Sequence, residues 1–210
     1  MRKEVFENKR IICFGDSITD FGRTCYTQYE DGSGYVNMLK TKIGVFDINK
    51  NIEVINKGYS GDKTDELLKR LKDDVLDLKP DVVTMLIGIN DIWHPFDRND
   101  SIDFVNIDKN YRQIVETIIE NNIRLIILTP FLLPTSEYFE KLMIHYNTLR
   151  NIVLQIIADY KLEFIDLQII LEKYAKVSGN GAIAADSVHP TILGHGIIAH
   201  ELEQYLLFEK

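Results

Sequence analysis

Short apolar runs alternate along the chain with longer segments of helical periodicity. Five runs are continuous rather than alternating and rich in β-branched residues, which is typical of parallel strands covered on both faces. They predict strands at Ile11–Phe14, Ile52–Asn56, Val82–Ile87, Leu125–Leu128 and Leu162–Ile165. The helical patterns predict helices near Tyr35–Lys42, Thr64–Leu76, Ile107–Asn121, Ser136–Tyr160 and Thr191–Leu207.

Strands that alternate with helices imply right-handed crossovers and an α/β fold. We therefore predict a three-layer α/β/α sandwich around a parallel five-stranded sheet. The pattern contains no internal repeat, low-complexity tract or linker, and a chain of 210 residues can bury a substantial core. The prediction is a single domain over residues 1–210.

The composition limits the classes of partner. Hydrophobic residues make up 45% of the chain and charged residues 27%, as in ordinary globular proteins. A net charge of -8 without a basic patch argues against nucleic acid or a membrane as partner. No segment approaches the roughly 20 apolar residues that span a bilayer, and the N-terminus is charged throughout. With no secretion signal visible, we expect a cytoplasmic protein. Cys13 and Cys25 agree with this expectation, because a reducing compartment would keep both as thiols.

Small and polar residues follow the predicted strands. Ligands of open parallel sheets bind beyond the carboxyl ends of the strands, so these residues are candidates for a site. Ser17 follows the first strand, Gly58 the second and Asn90 the third. Asp186 and His189 lie in the loop before the last helix.

Ser17 is the candidate nucleophile. A serine does not ionise at neutral pH, so it needs a histidine to take its proton and preferably a carboxylate to orient that histidine. Asp186 and His189 supply both, because a carboxylate three residues earlier on a turn can reach Nδ1 while Nε2 stays free for Ser17. Taken alone, the same turn is also typical of a helix cap with a surface histidine.

Acyl transfer also requires hydrogen-bond donors for the oxyanion of the tetrahedral intermediate. The candidates are the backbone N–H of Ser17, the backbone N–H of Gly58 and the side-chain amide of Asn90. A glycine lets the backbone approach the substrate closely, and an amide donates without bringing charge. The alternatives are a simple turn at Gly58 and a helix N-cap at Asn90.

Four sequence blocks resemble those of the SGNH hydrolases, also called the GDSL esterase/lipase family. GDSIT contains Ser17, NKGYSG contains Gly58, GIND contains Asn90, and DSVHP contains Asp186 and His189. The blocks occur in the expected order and cover the chain almost end to end. The resemblance implies a flavodoxin-like sheet in 2-1-3-4-5 order and hydrolysis of esters through an acyl-serine, with no metal or other cofactor.

The sequence is also similar to one branch of that family, the intracellular acetyl xylan esterases, which remove acetyl groups from xylo-oligosaccharides. The similarity lies in GDSITDFGR, in GINDIW and in TPF at Thr129–Phe131. It implies a small acetylated sugar as substrate and suggests a homo-oligomer.

Several side chains near these blocks are candidates for sugar binding, because flat aromatic faces stack on pyranose rings and polar groups meet hydroxyls. Packing within the loops, helix capping or a local salt bridge are their alternative roles. The candidates are Asp16, Arg23, Trp93 and Phe131. Tyr26 and Tyr29 lie in the loop from Asp20 to Tyr35, whose part in substrate choice the sequence leaves open.

We therefore predict a serine esterase that removes O-acetyl groups from carbohydrates, with acetylated xylo-oligosaccharides as the first expectation. A lysophospholipase or acyl-thioesterase with the same triad is the alternative. An inactive carbohydrate-binding protein on the same scaffold is a third hypothesis, against which the intact set of candidate residues argues.

Overall fold

The strands form one parallel sheet in the order β2-β1-β3-β4-β5. The computed structural model describes residues 9–23, 31–47 and 51–207. The strands are β1 Arg10–Gly15, β2 Glu53–Gly58, β3 Val82–Leu86, β4 Arg124–Leu128 and β5 Glu163–Ile165. Both the α/β class and the flavodoxin-like strand order are confirmed.

Helices cover the sheet in two groups. One group contains α2, which packs on α9, and α7, which also contacts α9; in the other, α3 packs on α5 and α5 on α6. The helices are α1 Ser17–Asp20, α2 Tyr35–Asp47, α3 Thr64–Asp74, α4 Ile89–Asp97, α5 Phe104–Glu120, α6 Glu137–Tyr160, α7 Leu167–Ser178, α8 Asn180–Ile183 and α9 Ile192–Leu207. Over the described residues, none of them is both long and apolar enough to cross a membrane.

The three inner strands are buried almost completely, as continuous apolar runs predict. Every residue of β3 is buried, and in β1 and β4 only the first residue is partly accessible. The edge strand β2 instead alternates between buried and more accessible residues. Burying one such aliphatic side chain contributes about 1.5–3 kcal/mol, so the core fixes the ends of these strands firmly.

All five predicted strands and all five predicted helices are confirmed, with ends that differ by a few residues. Four helices were not predicted: α1, α4, α7 and α8. The sequence hides α4 because its apolar start continues the run of β3 and Pro95 interrupts its pattern. The sequence also hides α7, because a single residue, Asp166, separates it from the end of β5. Asp166 caps α7 by accepting a hydrogen bond from the Ile169 N–H.

The parallel register brings three strand ends to one edge of the sheet. Gly15 at the end of β1 pairs with Gly58 at the end of β2 and with Leu86 at the end of β3. The segments that follow these strands therefore begin side by side. Those segments carry Ser17 and Asn90, which places two of the predicted site residues at the same edge.

Candidate active site

Ser17 is the first residue of α1, immediately beyond the end of β1. Asp16 caps this short helix, because its Oδ1 accepts a hydrogen bond of 3.0 Å from the Ile18 N–H. The turn is tight at Gly15, where a Cβ would lie 2.4 Å from the Leu86 carbonyl oxygen. The serine is therefore held at a fixed point between the central strand and the helix.

Ser17, His189 and Asp186 form one continuous line of hydrogen bonds. Ser17 Oγ lies 2.8 Å from His189 Nε2, and His189 Nδ1 lies 2.7 Å from Asp186 Oδ2. The other carboxylate oxygen, Oδ1, accepts the backbone N–H groups of Val188 at 3.1 Å and His189 at 2.7 Å. The structure thus brings the predicted nucleophile, base and carboxylate into contact.

The hydrogen bonds around Asp186 outweigh its burial. Burial alone would raise its pKa, but the bonds from the His189 ring, the His189 N–H and the Val188 N–H lower it from the usual range. An ionised Asp186 keeps the ring proton on His189 Nδ1. His189 Nε2 is then the acceptor for the Ser17 hydroxyl, as a general base requires.

The turn that carries His189 is anchored by Ser187, which sequence reasoning missed. Ser187 is fully buried and has a positive φ of 76°. Its Oγ accepts the Thr135 N–H at 2.9 Å, and its carbonyl accepts the Leu133 N–H at 2.9 Å. These contacts tie the turn to the segment after β4. The position of His189 therefore depends on a segment that is about 50 residues earlier in the chain.

Asn90 is the second residue of α4 and is almost completely buried. Gly88 is the N-cap, so the alternative in which Asn90 caps the helix is wrong. The Asn90 Nδ2 donates one hydrogen bond of 3.0 Å to the Asp62 carbonyl. This bond orients the amide and leaves its second N–H as a donor.

Gly58 does not have the role that its sequence block predicts. Its N–H donates to Asn56 Oδ1 at 2.9 Å and is therefore already used. A Cβ at Gly58 would lie 2.1 Å from the Asp20 backbone nitrogen, so close packing beneath α1 explains the glycine. These contacts contradict the assignment of Gly58 to the oxyanion hole.

Gly61, in the same loop, has the properties that Gly58 lacks. Its φ is +88°, and the nearest atom to an added Cβ, His94 Cε1, is 3.9 Å away. Within the described part of the chain, no acceptor takes the Gly61 N–H. The following residue, Asp62, holds Asn90. The block NKGYSG contains both glycines, and spacing alone could not separate the packed glycine from the open one.

Two predicted sugar-binding residues, Asp16 and Phe131, are wrong assignments because neither is accessible. Both have 0% of their surface exposed. Phe131 belongs to the hydrophobic core. Asp16 caps α1, and burial, together with neighbouring Asp91 and Asp62, raises its pKa to about 7. The capping role that the sequence left open is the observed one for Asp16.

Arg23 holds the local loop. Its Nη2 donates to the Gly58 carbonyl at 2.5 Å, and its guanidinium lies 4.5 Å from the centroid of the Tyr59 ring. A long ion pair of 3.9 Å joins it to Asp20. These contacts favour the loop-fixing alternative over sugar binding. Cys25, Tyr26 and Tyr29, which the sequence analysis also named, lie outside the described residues.

Trp93 lies beside His189. It is partly buried on α4, and its ring centroid is 5.9 Å from that of His189 and 5.6 Å from that of Phe139. Of the four predicted sugar-binding residues, Trp93 is the one with an aromatic ring next to the candidate base, His189. Trp93 therefore stays a candidate for contact with the substrate.

His195, on the last helix, is buried and takes no part in the hydrogen bonds that join Ser17, His189 and Asp186. Its Nδ1 accepts the Tyr35 N–H at 3.2 Å, and burial lowers its pKa to about 3.

Among the described residues, no group of three histidine, cysteine, aspartate or glutamate side chains could hold a metal ion.

Comparisons with known proteins agree with this geometry. A model of the GDSL-like lipase/acylhydrolase family matches residues 13–197. The acetylxylan esterase of Geobacillus stearothermophilus is 29% identical over 216 aligned positions, which cover 98% of this chain and 97% of the relative.

Solved structures extend the comparison. Axe2, an acetyl xylan esterase from Geobacillus stearothermophilus solved as a tryptophan-to-isoleucine mutant, superposes with a TM-score of 0.87 at 27% identity over 99% of both chains. Three further Axe2 structures are catalytic mutants in which alanine replaces a serine, a histidine or an aspartate. LAE5, an α/β hydrolase from the metagenome of Lake Arreo in Spain, shares the fold with a TM-score of 0.83 at 24% identity over 97% of this chain and 98% of its own.

Proposed function

The chain belongs to the GDSL-like lipase/acylhydrolase family, a family of ester-hydrolysing enzymes, and we propose that it is a serine esterase that removes O-acetyl groups from carbohydrates. The observation that carries the proposal is the unbroken hydrogen-bonded line from Ser17 through His189 to Asp186. In Axe2, the aspartate and histidine replaced in catalytic mutants are likewise three positions apart.

The proposed reaction begins when Ser17 Oγ attacks the ester carbonyl and its proton moves to His189 Nε2. Asp186 orients the ring and stabilises the positive charge that forms on it. The tetrahedral intermediate collapses to an acetyl-serine as the leaving alcohol takes the proton from Nε2. Water then attacks the acetyl group with His189 again as base, which releases acetate and restores Ser17.

The proposed oxyanion hole consists of the Ser17 N–H, the Gly61 N–H and the second N–H of the Asn90 amide. Ser17 is the first residue of α1, so its N–H has no partner within that helix. The Gly61 N–H has no acceptor among the described residues, and Asn90 is already oriented by Asp62. Donors fixed before the reaction stabilise the developing charge without reorganisation.

Replacing Asn90 by alanine is expected to lower kcat by about 10²- to 10³-fold with little change in KM, because the lost donor acts on the transition state. Initial rates on an aryl acetate measure both constants. Asn121→Ala is the matched control, since it also removes one bond from Nδ2 to a backbone carbonyl, at 2.8 Å to Thr117, and should keep kcat unchanged. Unchanged kcat in Asn90→Ala would contradict the proposed hole.

The acetyl group and the sugar are the finer part of the proposal. The similarity to an acetylxylan esterase over 98% of the chain supports it, as does the aromatic face of Trp93 beside His189. The test measures acetate released from acetylated xylo-oligosaccharides, pectic fragments and amino sugars, beside aryl esters of increasing acyl length. A rate that collapses beyond two or three acyl carbons supports a deacetylase. Faster turnover of long chains would instead indicate a lysophospholipase or thioesterase.

The proposal includes one domain over residues 1–210 and residence in the cytoplasm. All five strands lie in one sheet, and Cys13 is a buried free thiol, which suits a reducing compartment. A homo-oligomer is also part of the proposal. Light scattering coupled to size-exclusion chromatography tests the assembly.

A further inference from the structure

One arginine on α3, Arg70, contacts four separate groups near the carboxyl ends of β1 and β2. Its Nη2 donates to the Gly15 carbonyl at 2.8 Å, and its Nη1 donates to the Lys57 carbonyl at 2.9 Å. Its Nε donates to Asp62 Oδ2 at 2.7 Å, and Nη1 also reaches Asp74 Oδ2 at 2.9 Å. Four of its five N–H groups are thus accounted for.

The guanidinium is also covered by aromatic rings. It lies 4.5 Å from the centroids of both Phe14 and Tyr59, and only 17% of the side chain is exposed. A planar cation gains from such contacts and loses little freedom when its donors are fixed. With four donors bonded to the protein and two aromatic rings against its guanidinium, Arg70 is placed to hold other groups rather than to bind a substrate.

Two of the partners of Arg70, Gly15 and Asp62, belong to the two halves of the proposed site. The Gly15 carbonyl precedes Asp16, and Ser17 is the next residue, so this bond fixes the peptide that leads to the nucleophile. Asp62 directly follows Gly61, and its own carbonyl holds the Asn90 amide. A single side chain therefore connects the nucleophile segment to the oxyanion-donor loop.

We propose that Arg70 is a positioning residue that fixes the distance between Ser17 and the oxyanion donors. This inference rests on the function proposed above. The nucleophile and the donors lie on different strand ends, and a misplacement of about 1 Å can cost about 10²-fold in rate. The ion pair with Asp62 and the bonds to two backbone carbonyls oppose such a displacement.

The matched experiment compares Arg70→Ala with Arg150→Ala. Arg150 is as buried as Arg70, with 18% of its side chain exposed, and pairs with Asp166 at 2.7 Å, so its loss should destabilise the fold similarly. Arg70→Ala should lower kcat on an aryl acetate by about 10²-fold with little change in KM. Arg150→Ala should lower the melting temperature and keep kcat. Both are assayed well below their melting temperatures, which circular dichroism provides.

Rescue separates positioning from stability. Millimolar methylguanidinium should restore part of the lost kcat to Arg70→Ala and leave the kcat of Arg150→Ala unchanged. Arg70→Lys carries the test if the alanine variant does not fold, because an ammonium can pair with Asp62 without also reaching both carbonyls, and its kcat should be intermediate. Wild-type kcat in folded Arg70→Lys or Arg70→Ala, or an equal loss in Arg150→Ala, would overturn the inference.

A second measurement tests the role of Arg70 independently of the proposed deacetylase activity. The rate at which an organophosphonate labels Ser17 needs the nucleophile and the oxyanion donors, but no particular ester. Slower labelling of Arg70→Ala than of wild type supports positioning even if wild type hydrolyses no acetylated sugar. Equal labelling rates count against the role of Arg70 whichever substrate the enzyme uses.

Discussion

Ser17→Ala is expected to lower kcat on an aryl acetate by about 10⁶-fold. The reason is that Ser17 Oγ, 2.8 Å from His189 Nε2, is the only hydroxyl among the described residues that is hydrogen-bonded to this nitrogen. The Oγ of Ser17 makes this one side-chain contact among the described residues, and the cap of α1 is made by Asp16 instead. The melting temperature of the variant should therefore stay close to that of wild type.

Organophosphonate labelling checks the same prediction chemically. Mass spectrometry should find the label on Ser17 in wild type and no stable label in Ser17→Ala. Ser178→Ala, which removes a helix-surface hydroxyl bonded to the Tyr174 carbonyl, is the control and should keep both kcat and labelling. Turnover retained by Ser17→Ala would refute the assignment of the nucleophile. A wild-type protein that takes no label would favour the inactive carbohydrate-binding hypothesis.

The residues that the sequence could assign are those whose chemistry and strand position agree. Ser17 and Asn90 follow buried apolar runs, and parallel register then requires both to lie at one edge of the sheet. Asp186 and His189 are far away in the chain, but a three-residue spacing on a turn is sufficient to predict their contact. Such features depend on short-range geometry and can be predicted from the sequence.

Accessibility could not be predicted in the same way. The position of Phe131 after β4 predicts a place at the site, yet tertiary packing buries the residue in the core. Gly58 and Gly61 differ in their surroundings, which the sequence does not show: the Asp20 backbone packs against the first, and the space beside the second is open. The role of Arg70 could not be predicted from the sequence, because it depends on carbonyl groups of two strands that meet only in the folded protein.

Asp186→Asn is expected to lower kcat by about 10⁴-fold, through the tautomer of His189 rather than through lost contact. The two backbone N–H groups on Oδ1 require an oxygen there, so the amide oxygen of the variant should take that position. The NH₂ group would then face His189 Nδ1 and donate to it. The ring proton would move to Nε2, which could no longer accept the proton of Ser17.

This prediction separates orientation by charge from simple anchoring. If the carboxylate served only to hold the turn, the amide would preserve the bonds from Val188 and His189, and kcat would change little. Asp103→Asn is the control, since the Asp103 oxygen caps α5 by accepting the Asn106 N–H and an amide oxygen can do the same. Its kcat should equal that of wild type. A wild-type kcat in folded Asp186→Asn would contradict a role for the ionised carboxylate. The carboxylate accepts a hydrogen bond from His189 Nδ1, whereas the amide carries no charge and would donate a hydrogen bond to Nδ1.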